Sequence, residues 1–92
     1  MEQKYKLVSP LGLNARVASL FVGVFNRFIN NTITVHYNGE VADGKSILSL
    51  ITLVVKSQEE IVVEVDGNNP EAVFAMLEKA SDNSVTPIIE KK

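Results

Sequence analysis

ARVASLFVGVFNRFINNTITVHYNGEVA, residues 15–42, contains two hydrophobic periods in succession. Its first half carries apolar side chains at helical spacing, on Leu20, Phe21, Val24, Phe25 and Phe28. Its second half alternates apolar and polar residues from Ile33 to Tyr37, as a half-buried strand does. Asn38-Gly39 follows, the strongest short-range signal for a hairpin. The stretch therefore predicts a helix, a strand, a tight turn and a short return strand.

The flanking segments predict the remaining elements. Lys4 to Val8 is a short extended candidate, and Ile61 to Val65 is a β-branched strand. Ser46 follows a glycine as a helix cap does, so a short helix is expected after it, and Pro70 suits the first position of a last helix. Gly23 inside the first helix suggests close backbone packing there. The order β-α-β-β-α-β-α has too few helices to cover both faces of a sheet, which predicts an α+β fold with an antiparallel sheet and helices on one side.

Composition narrows the class of protein. A chain of 92 residues fits one domain, expected over 1–82, with a C-terminal tail over 83–92. The net charge of -2 gives no electrostatic basis for binding nucleic acid, and the lack of cysteine excludes disulfides and thiolate metal sites. The N-terminus carries no apolar run of signal-peptide length, so we expect a cytoplasmic protein without membrane contact.

The lone histidine, His36, argues against most acid–base and zinc chemistry. It lies on the polar phase of its strand, so it is expected to face solvent, and no second ligand stands near it in sequence. His36 is therefore a poor metal or catalytic candidate, and we expect no metal site. The chain is also expected to hold no cofactor and to be no enzyme.

The segment GLNARVA, residues 12–18, is a candidate anion site. Asn14 is suited to cap the following helix, because its side-chain oxygen can accept from the amide of Arg16 or Val17. Amides at a helix start, with Arg16 on the first turn, can hold an anion. An ordinary structural cap has the same pattern, so both interpretations stay open.

Two motifs together make the chain resemble HPr, the histidine-containing phosphocarrier of the bacterial sugar phosphotransferase system. That family reads Gly-aliphatic-His-Ala-Arg-Pro-Ala where this chain has residues 12–18, and Lys-Ser-Ile-Met-x-aliphatic where it has KSILSL at 45–50. The Asn38-Gly39 hairpin and the Asp66-Gly67 turn also match. The resemblance implies an open-faced β-sandwich, in which a four-stranded antiparallel sheet carries three helices on one face.

Two departures from the family's first motif concern its chemistry. Asn14 stands where the resemblance implies the phosphohistidine, and Val17 replaces the proline. The lone pair of an amide nitrogen is delocalised into the carbonyl, so Asn14 cannot form the phosphoramidate that an imidazole forms. Val17 also supplies an N–H that proline lacks and that Asn14 can accept. The chain is thus similar to the catabolite-repression HPr branch, in which an amide residue also replaces the histidine.

The second motif carries the implied regulation. In the family the serine matching Ser46 is phosphorylated by HPr kinase/phosphorylase, and in some bacteria this creates a surface for a LacI-type repressor. Ile47, Leu48 and Ile51 are expected on the outer side of the short helix, with Val54 toward the sheet. The resemblance implies that these three residues dock enzyme partners and regulators, whereas a plain N-cap and extra core burial are the structural alternatives.

The first hypothesis is a regulatory, non-catalytic HPr-like protein that is phosphorylated on Ser46 and binds a partner through Ile47, Leu48, Ile51 and Arg16. The alternative is an HPr-fold binding module with an anion at the Asn14/Arg16 helix start. Either protein is compatible with a homodimer.

Overall fold

In the part of the chain that the structure describes, five strands form one antiparallel sheet, and three helices pack on one of its faces. The computed structural model describes residues 1–81 and 85–88. The strands are β1 (Glu2–Leu7), β2 (Thr32–Tyr37), β3 (Glu40–Asp43), β4 (Glu60–Asp66) and β5 (Val85–Ile88). The helices are α1 (Ala15–Phe25), α2 (Ile47–Thr52) and α3 (Pro70–Ala80). The spatial order of the strands is β3-β2-β4-β1-β5.

The hydrophobic core lies between the sheet and the helices. Alternate residues of the three central strands are almost fully buried on this side: Tyr5, Leu7, Ile33, Val35, Ile61, Val63 and Val65. The helices cover them with residues that include Val17, Phe21, Phe25, Leu50, Val73 and Leu77. The intervening strand residues form the opposite, open face of the sheet. The predicted α+β open-faced sandwich is confirmed for β1–β4 and the three helices.

The segment expected to be a C-terminal tail contributes a fifth strand. β5 pairs antiparallel with β1, with Pro87 opposite Tyr5, and Val85 is 6% exposed within the core. Proline disfavours a central strand, and for this reason Pro87 predicts a tail, but an edge strand tolerates proline because one of its sides forms no backbone ladder. The folded unit therefore extends beyond residue 82, while residues 82–84 and 89–92 lie outside the described residues.

Local backbone geometry follows the turn residues. Asn38 and Gly39 have φ of 51° and 82°, the positive values that the predicted hairpin turn requires. Gly23 differs from expectation, because a Cβ there would have no heavy atom of the described residues within 4 Å. It borders an open groove of about 580 Å³ between α1 and α3 instead of a close helix contact.

Candidate functional site

Asn14 caps α1. Its backbone is extended, with φ −92° and ψ −176°, and its Oδ1 accepts from the Val17 amide at 3.0 Å. Its carbonyl oxygen accepts from the Ala18 amide at 2.8 Å. The predicted cap is confirmed, and the N–H that distinguishes Val17 from a proline is the group that Asn14 binds. Arg16 is exposed on the first turn.

The start of α1 lies against the chain segment that follows α2. Leu13 donates its amide to the Val55 carbonyl oxygen at 2.9 Å. Gly12 has φ +66°, and a Cβ there would lie 2.2 Å from the same oxygen, so only glycine allows this approach. The close contact brings Asn14 and Arg16 to the same side of the molecule as α2.

Ser46 caps α2. Its Oγ accepts from the Ser49 amide at 3.2 Å, and the side chain is half-buried. It opens on a cleft of about 320 Å³ between α2 and β3. The cleft is lined by Glu40, Val41, Ser46, Leu48, Ser49, Thr52 and Leu53. The serine of the second motif is thus both a cap and accessible from a surface cleft.

Lys45, the first residue of that motif, has a structural role. Its Nζ donates to the carbonyl oxygens of Phe28 at 2.9 Å and Asn31 at 2.7 Å, where the chain leaves α1. The Asn31 side chain in turn donates to the carbonyl oxygens of Asp66 and Asn68. Lys45 and Asn31 thus hold together the loops that follow α1, β3 and β4. The ammonium group of Lys45 is used to satisfy backbone carbonyl groups and does not project toward α2 as a ligand-binding cation.

The outer side of α2 is apolar. Ile47 is 41% exposed, Leu48 75% and Ile51 36%, while Leu50 on the inner side is fully buried. Val54, expected toward the sheet, is 66% exposed. The reason is that α2 ends at Thr52 and Val54 has a positive φ of 55°. Helical spacing therefore no longer determines which way the Val54 side chain faces. We call Ile47, Leu48, Ile51 and Val54 the α2 patch.

A tyrosine–carboxylate pair positions the loop after α2. Tyr37 donates its hydroxyl to Glu59 Oε1 at 2.6 Å, and the Lys56 amide donates to the same oxygen at 2.9 Å. The bond from Tyr37, then that from Lys56, lowers the pKa of Glu59, while the bond to the carboxylate raises the pKa of Tyr37. A second such bond joins Tyr5 to Glu78 at 2.9 Å, and there burial is the first cause that raises the pKa of Tyr5.

His36 lies on the open face of the sheet, away from both helix starts. Its predicted place on the solvent side of β2 is confirmed, but it is not isolated: its Nε2 lies 2.7 Å from Glu64 Oε1. Sequence reasoning missed this pair because the residues are 28 positions apart and meet only when β2 pairs with β4.

The elements, the turn residues and the two motifs agree with one known family. A family model described as "PTS HPr component phosphorylation site" matches residues 1–83. The chain belongs to the HPr family. It is a phosphocarrier-like protein of the phosphotransferase system, and proteins of this family are phosphocarriers and regulators, not enzymes.

Two HPr-family relatives are equally similar in sequence. The phosphocarrier protein HPr of Mycoplasma pneumoniae is 34% identical over 74 residues, which cover 76% of this chain and 84% of that protein. The HPr-like protein Crh of Halalkalibacterium halodurans is 34% identical over 83 residues, which cover 86% of this chain and 98% of Crh. Identity alone therefore does not separate the phosphocarriers from the Crh proteins.

Solved structures of HPr-family proteins share the fold. HPr-C-His from Thermoanaerobacter tengcongensis superposes with a TM-score of 0.82 at 24% identity, covering 91% of this chain and 93% of that one. Crh of Bacillus subtilis superposes with a TM-score of 0.68 at 28% identity, covering 85% of this chain and 88% of that one, and it forms a domain-swapped dimer. Within the described part of this HPr-family chain, no helix has the length and apolarity to cross a membrane.

Proposed function

We propose that this HPr-family protein is regulatory and carries no phosphoryl group at the usual position, since Asn14 takes the place of the phosphohistidine. The observation that carries the proposal is the bond from the Val17 amide to Asn14 Oδ1. It occupies the side-chain oxygen as a cap acceptor, and the amide nitrogen is not nucleophilic. The helix start is thereby stabilised and has no group for phosphoryl transfer.

The test of lost phosphocarrier activity is direct. Incubation with phosphoenolpyruvate and Enzyme I should leave the mass of this protein unchanged, while a histidine-bearing HPr gains one phosphoryl group in parallel. A labile phosphate adduct on this protein, located on His36 or elsewhere, would contradict the proposal.

Restoring the family motif tests whether only those residues were lost. The double variant Asn14→His, Val17→Pro should partly regain acceptance of the phosphoryl group from Enzyme I. It restores the imidazole of the family motif, and proline lacks the N–H with which Val17 binds the side chain at position 14. Asn14→His alone is the matched control. No transfer in the double variant would mean that the docking surface has diverged as well.

We infer that regulation acts through Ser46, as a substrate of an HPr kinase/phosphorylase. Ser46 is half-buried and opens on the cleft between α2 and β3, and one residue of the exposed α2 patch, Leu48, lines that cleft. A phosphate there adds about two negative charges beside Leu48 and Glu40, which changes the surface presented to a partner. A LacI-type regulator or a protein of the phosphotransferase system is the partner that the resemblance suggests, in the cytoplasm.

Mass spectrometry after treatment with ATP and an HPr kinase tests this inference. One phosphate is expected on the wild type and on Ser49→Ala, which removes a neighbouring serine of the same cleft, and none on Ser46→Ala. A phosphorylated Ser46→Ala, or an unmodified wild type, would contradict it. Binding to the regulator should then depend on phosphorylation and on Leu48.

The second candidate function is an anion-binding module at the Asn14/Arg16 helix start. The observation in its favour is that Arg16 is exposed on the first turn of α1, beside the positive end of the helix dipole. Titration with phosphate should then show saturable binding that Arg16→Ala abolishes, and no binding to the native protein would exclude it.

Sedimentation analysis tests the homodimer, which the Crh structure suggests.

A further inference from the structure

Three side chains of the types that bind metal ions meet on the open face of the sheet, on the side opposite the helices. Glu2, His36 and Glu64 come from β1, β2 and β4, which are neighbours in the sheet. One ligand atom from each, two carboxylate oxygens and one imidazole nitrogen, all lie within 4.8 Å of one another. Neither α1 nor α2, on which the proposed regulation rests, contributes to this cluster.

Strand register explains why they meet. Glu2 and Thr34 both lie directly opposite Glu64, on its two sides, and His36 follows Thr34 by two residues on the same face of β2. Two carboxylates in directly opposite positions repel each other. Lys4, two residues from Glu2 on the same face, places one positive charge beside them, and a bound cation would offset the rest of this repulsion. The His36 imidazole already lies 2.7 Å from Glu64 Oε1.

We propose that Glu2, His36 and Glu64 bind a Zn²⁺ ion. One imidazole and two carboxylates form a ligand set that zinc accepts, and three protein ligands leave a fourth, solvent-facing position for water. Zinc ligand bonds of about 2.0–2.2 Å in a tetrahedron place the ligand atoms about 3.3–3.6 Å apart. The His36–Glu64 distance of 2.7 Å must therefore widen by about 0.6–0.9 Å, which the two side chains allow because they are 39% and 32% exposed.

The nitrogen ligand selects the class of metal. Mg²⁺ and Ca²⁺ prefer oxygen ligands, whereas an imidazole favours zinc and the other late first-row ions. A bound ion would link β1 to β2 and β4 at the end of β1 where Glu2 lies. Zinc should consequently raise the melting temperature of the folded protein, because it binds the assembled sheet and not the separated strands.

Calorimetric titration of the untagged, full-length protein with ZnCl₂ is the experiment. One Zn²⁺ per chain is expected, with a rise in melting temperature that EDTA reverses and that MgCl₂ does not produce. His36→Gln and Glu64→Gln should each weaken binding at least about tenfold. Glu60→Gln, which removes a carboxylate from β4 outside the cluster, is the matched control and should leave binding unchanged.

Two outcomes would overturn the proposal. One is the absence of saturable binding up to about 100 μM Zn²⁺, a concentration at which a site of micromolar affinity is filled. The other is unchanged affinity in His36→Gln. Melting curves in EDTA verify that each variant is folded, so a loss of binding is assigned to the removed ligand and not to unfolding.

Discussion

At the residue scale, the proposed loss of phosphoryl transfer depends on Asn14. Asn14 stands where the resemblance implies a phosphohistidine, and its side chain stabilises α1 by accepting a hydrogen bond from the Val17 amide. A helix start leaves several amides without intrahelical partners, so a side-chain acceptor there stabilises the fold. Asn14 therefore accounts for both the proposed loss of phosphoryl transfer and the stable start of α1.

Replacing this cap should lower stability. We expect Asn14→Ala to reduce the free energy of unfolding by about 1 kcal/mol, because the Val17 amide loses its acceptor. Asn14→Ser, which keeps an acceptor oxygen, should retain most of it. Urea unfolding followed by circular dichroism measures both, and equal stability of the wild type and Asn14→Ala would show that solvent replaces the cap.

The Tyr37–Glu59 pair makes a pH-dependent contribution. The pKa of Glu59 is lowered from 4.5, so its stabilising contribution is present above the unfolded pKa and is lost as pH falls through the folded value. The pKa of Tyr37 is raised from 10.0, so its contribution is present below the unfolded pKa and is lost as pH rises through the folded value. The bond therefore favours the folded protein between these two limits.

Removing the tyrosine hydroxyl should change this titration. In Tyr37→Phe we expect the pKa of Glu59 to rise toward its ordinary value, because the bond from Tyr37 is the first cause of the lowered pKa. Carboxyl-carbon NMR titration measures it. Tyr5→Phe, which removes a hydroxyl bonded to Glu78, should leave Glu59 unchanged. An unaltered Glu59 titration in Tyr37→Phe would assign the shift to the Lys56 amide.

At the scale of elements, α2 combines a buried and an exposed apolar side. Leu50 is fully buried while Leu48 is 75% exposed. A helix of six residues cannot be stable by propensity alone, so the buried side and the Ser46 cap must hold it in place. This arrangement leaves the α2 patch available to a partner at no loss of core packing.

Gly23 in α1 and Gly44 directly after β3 should respond in opposite ways to an added methyl group. Gly23→Ala should stabilise the protein by up to about 1 kcal/mol, because Gly23 lies inside α1 and its Cβ would point into open space. Gly44→Ala should destabilise it, since the Cβ would lie 2.8 Å from Ile33 Cγ2. Thermal unfolding compares the two, and a destabilised Gly23→Ala would reveal a contact in the α1–α3 groove.

At the scale of the whole molecule, the sheet separates two surfaces. The helices and the α2 patch lie on one side, and the Glu2, His36 and Glu64 cluster lies on the other. β5 closes the edge of β1 that would otherwise carry unpaired backbone groups. The C-terminal segment is thus part of the sheet that supports both surfaces.

A valine substitution distinguishes a strand from a tail. We expect Val85→Ala to lower the free energy of unfolding by about 1–2 kcal/mol, because Val85 is 6% exposed in the core. Val41→Ala, at a valine that is 61% exposed, is the matched control and should change stability little. If both variants were as stable as the wild type, β5 would make no contribution to the folded state in solution.

The sequence by itself determined the features that depend on neighbouring residues. The periods of α1 and β2, the caps Asn14 and Ser46, and the Asn38-Gly39 turn follow from local sterics and hydrogen bonding. The exposure of Ile47, Leu48 and Ile51 followed from helical spacing as well. Each of these predictions needed only residues a few positions apart.

Only the tertiary structure decided the features that depend on strand pairing and chain reversal. Pro87 sits in a strand because β5 is at the sheet edge, and Val54 is exposed because the chain turns after α2. Glu2 and Glu64 lie directly opposite each other because β1 pairs with β4, although they are 62 positions apart in the sequence. Register of this kind is set by the burial of a whole face of the sheet, a global property that no local pattern contains.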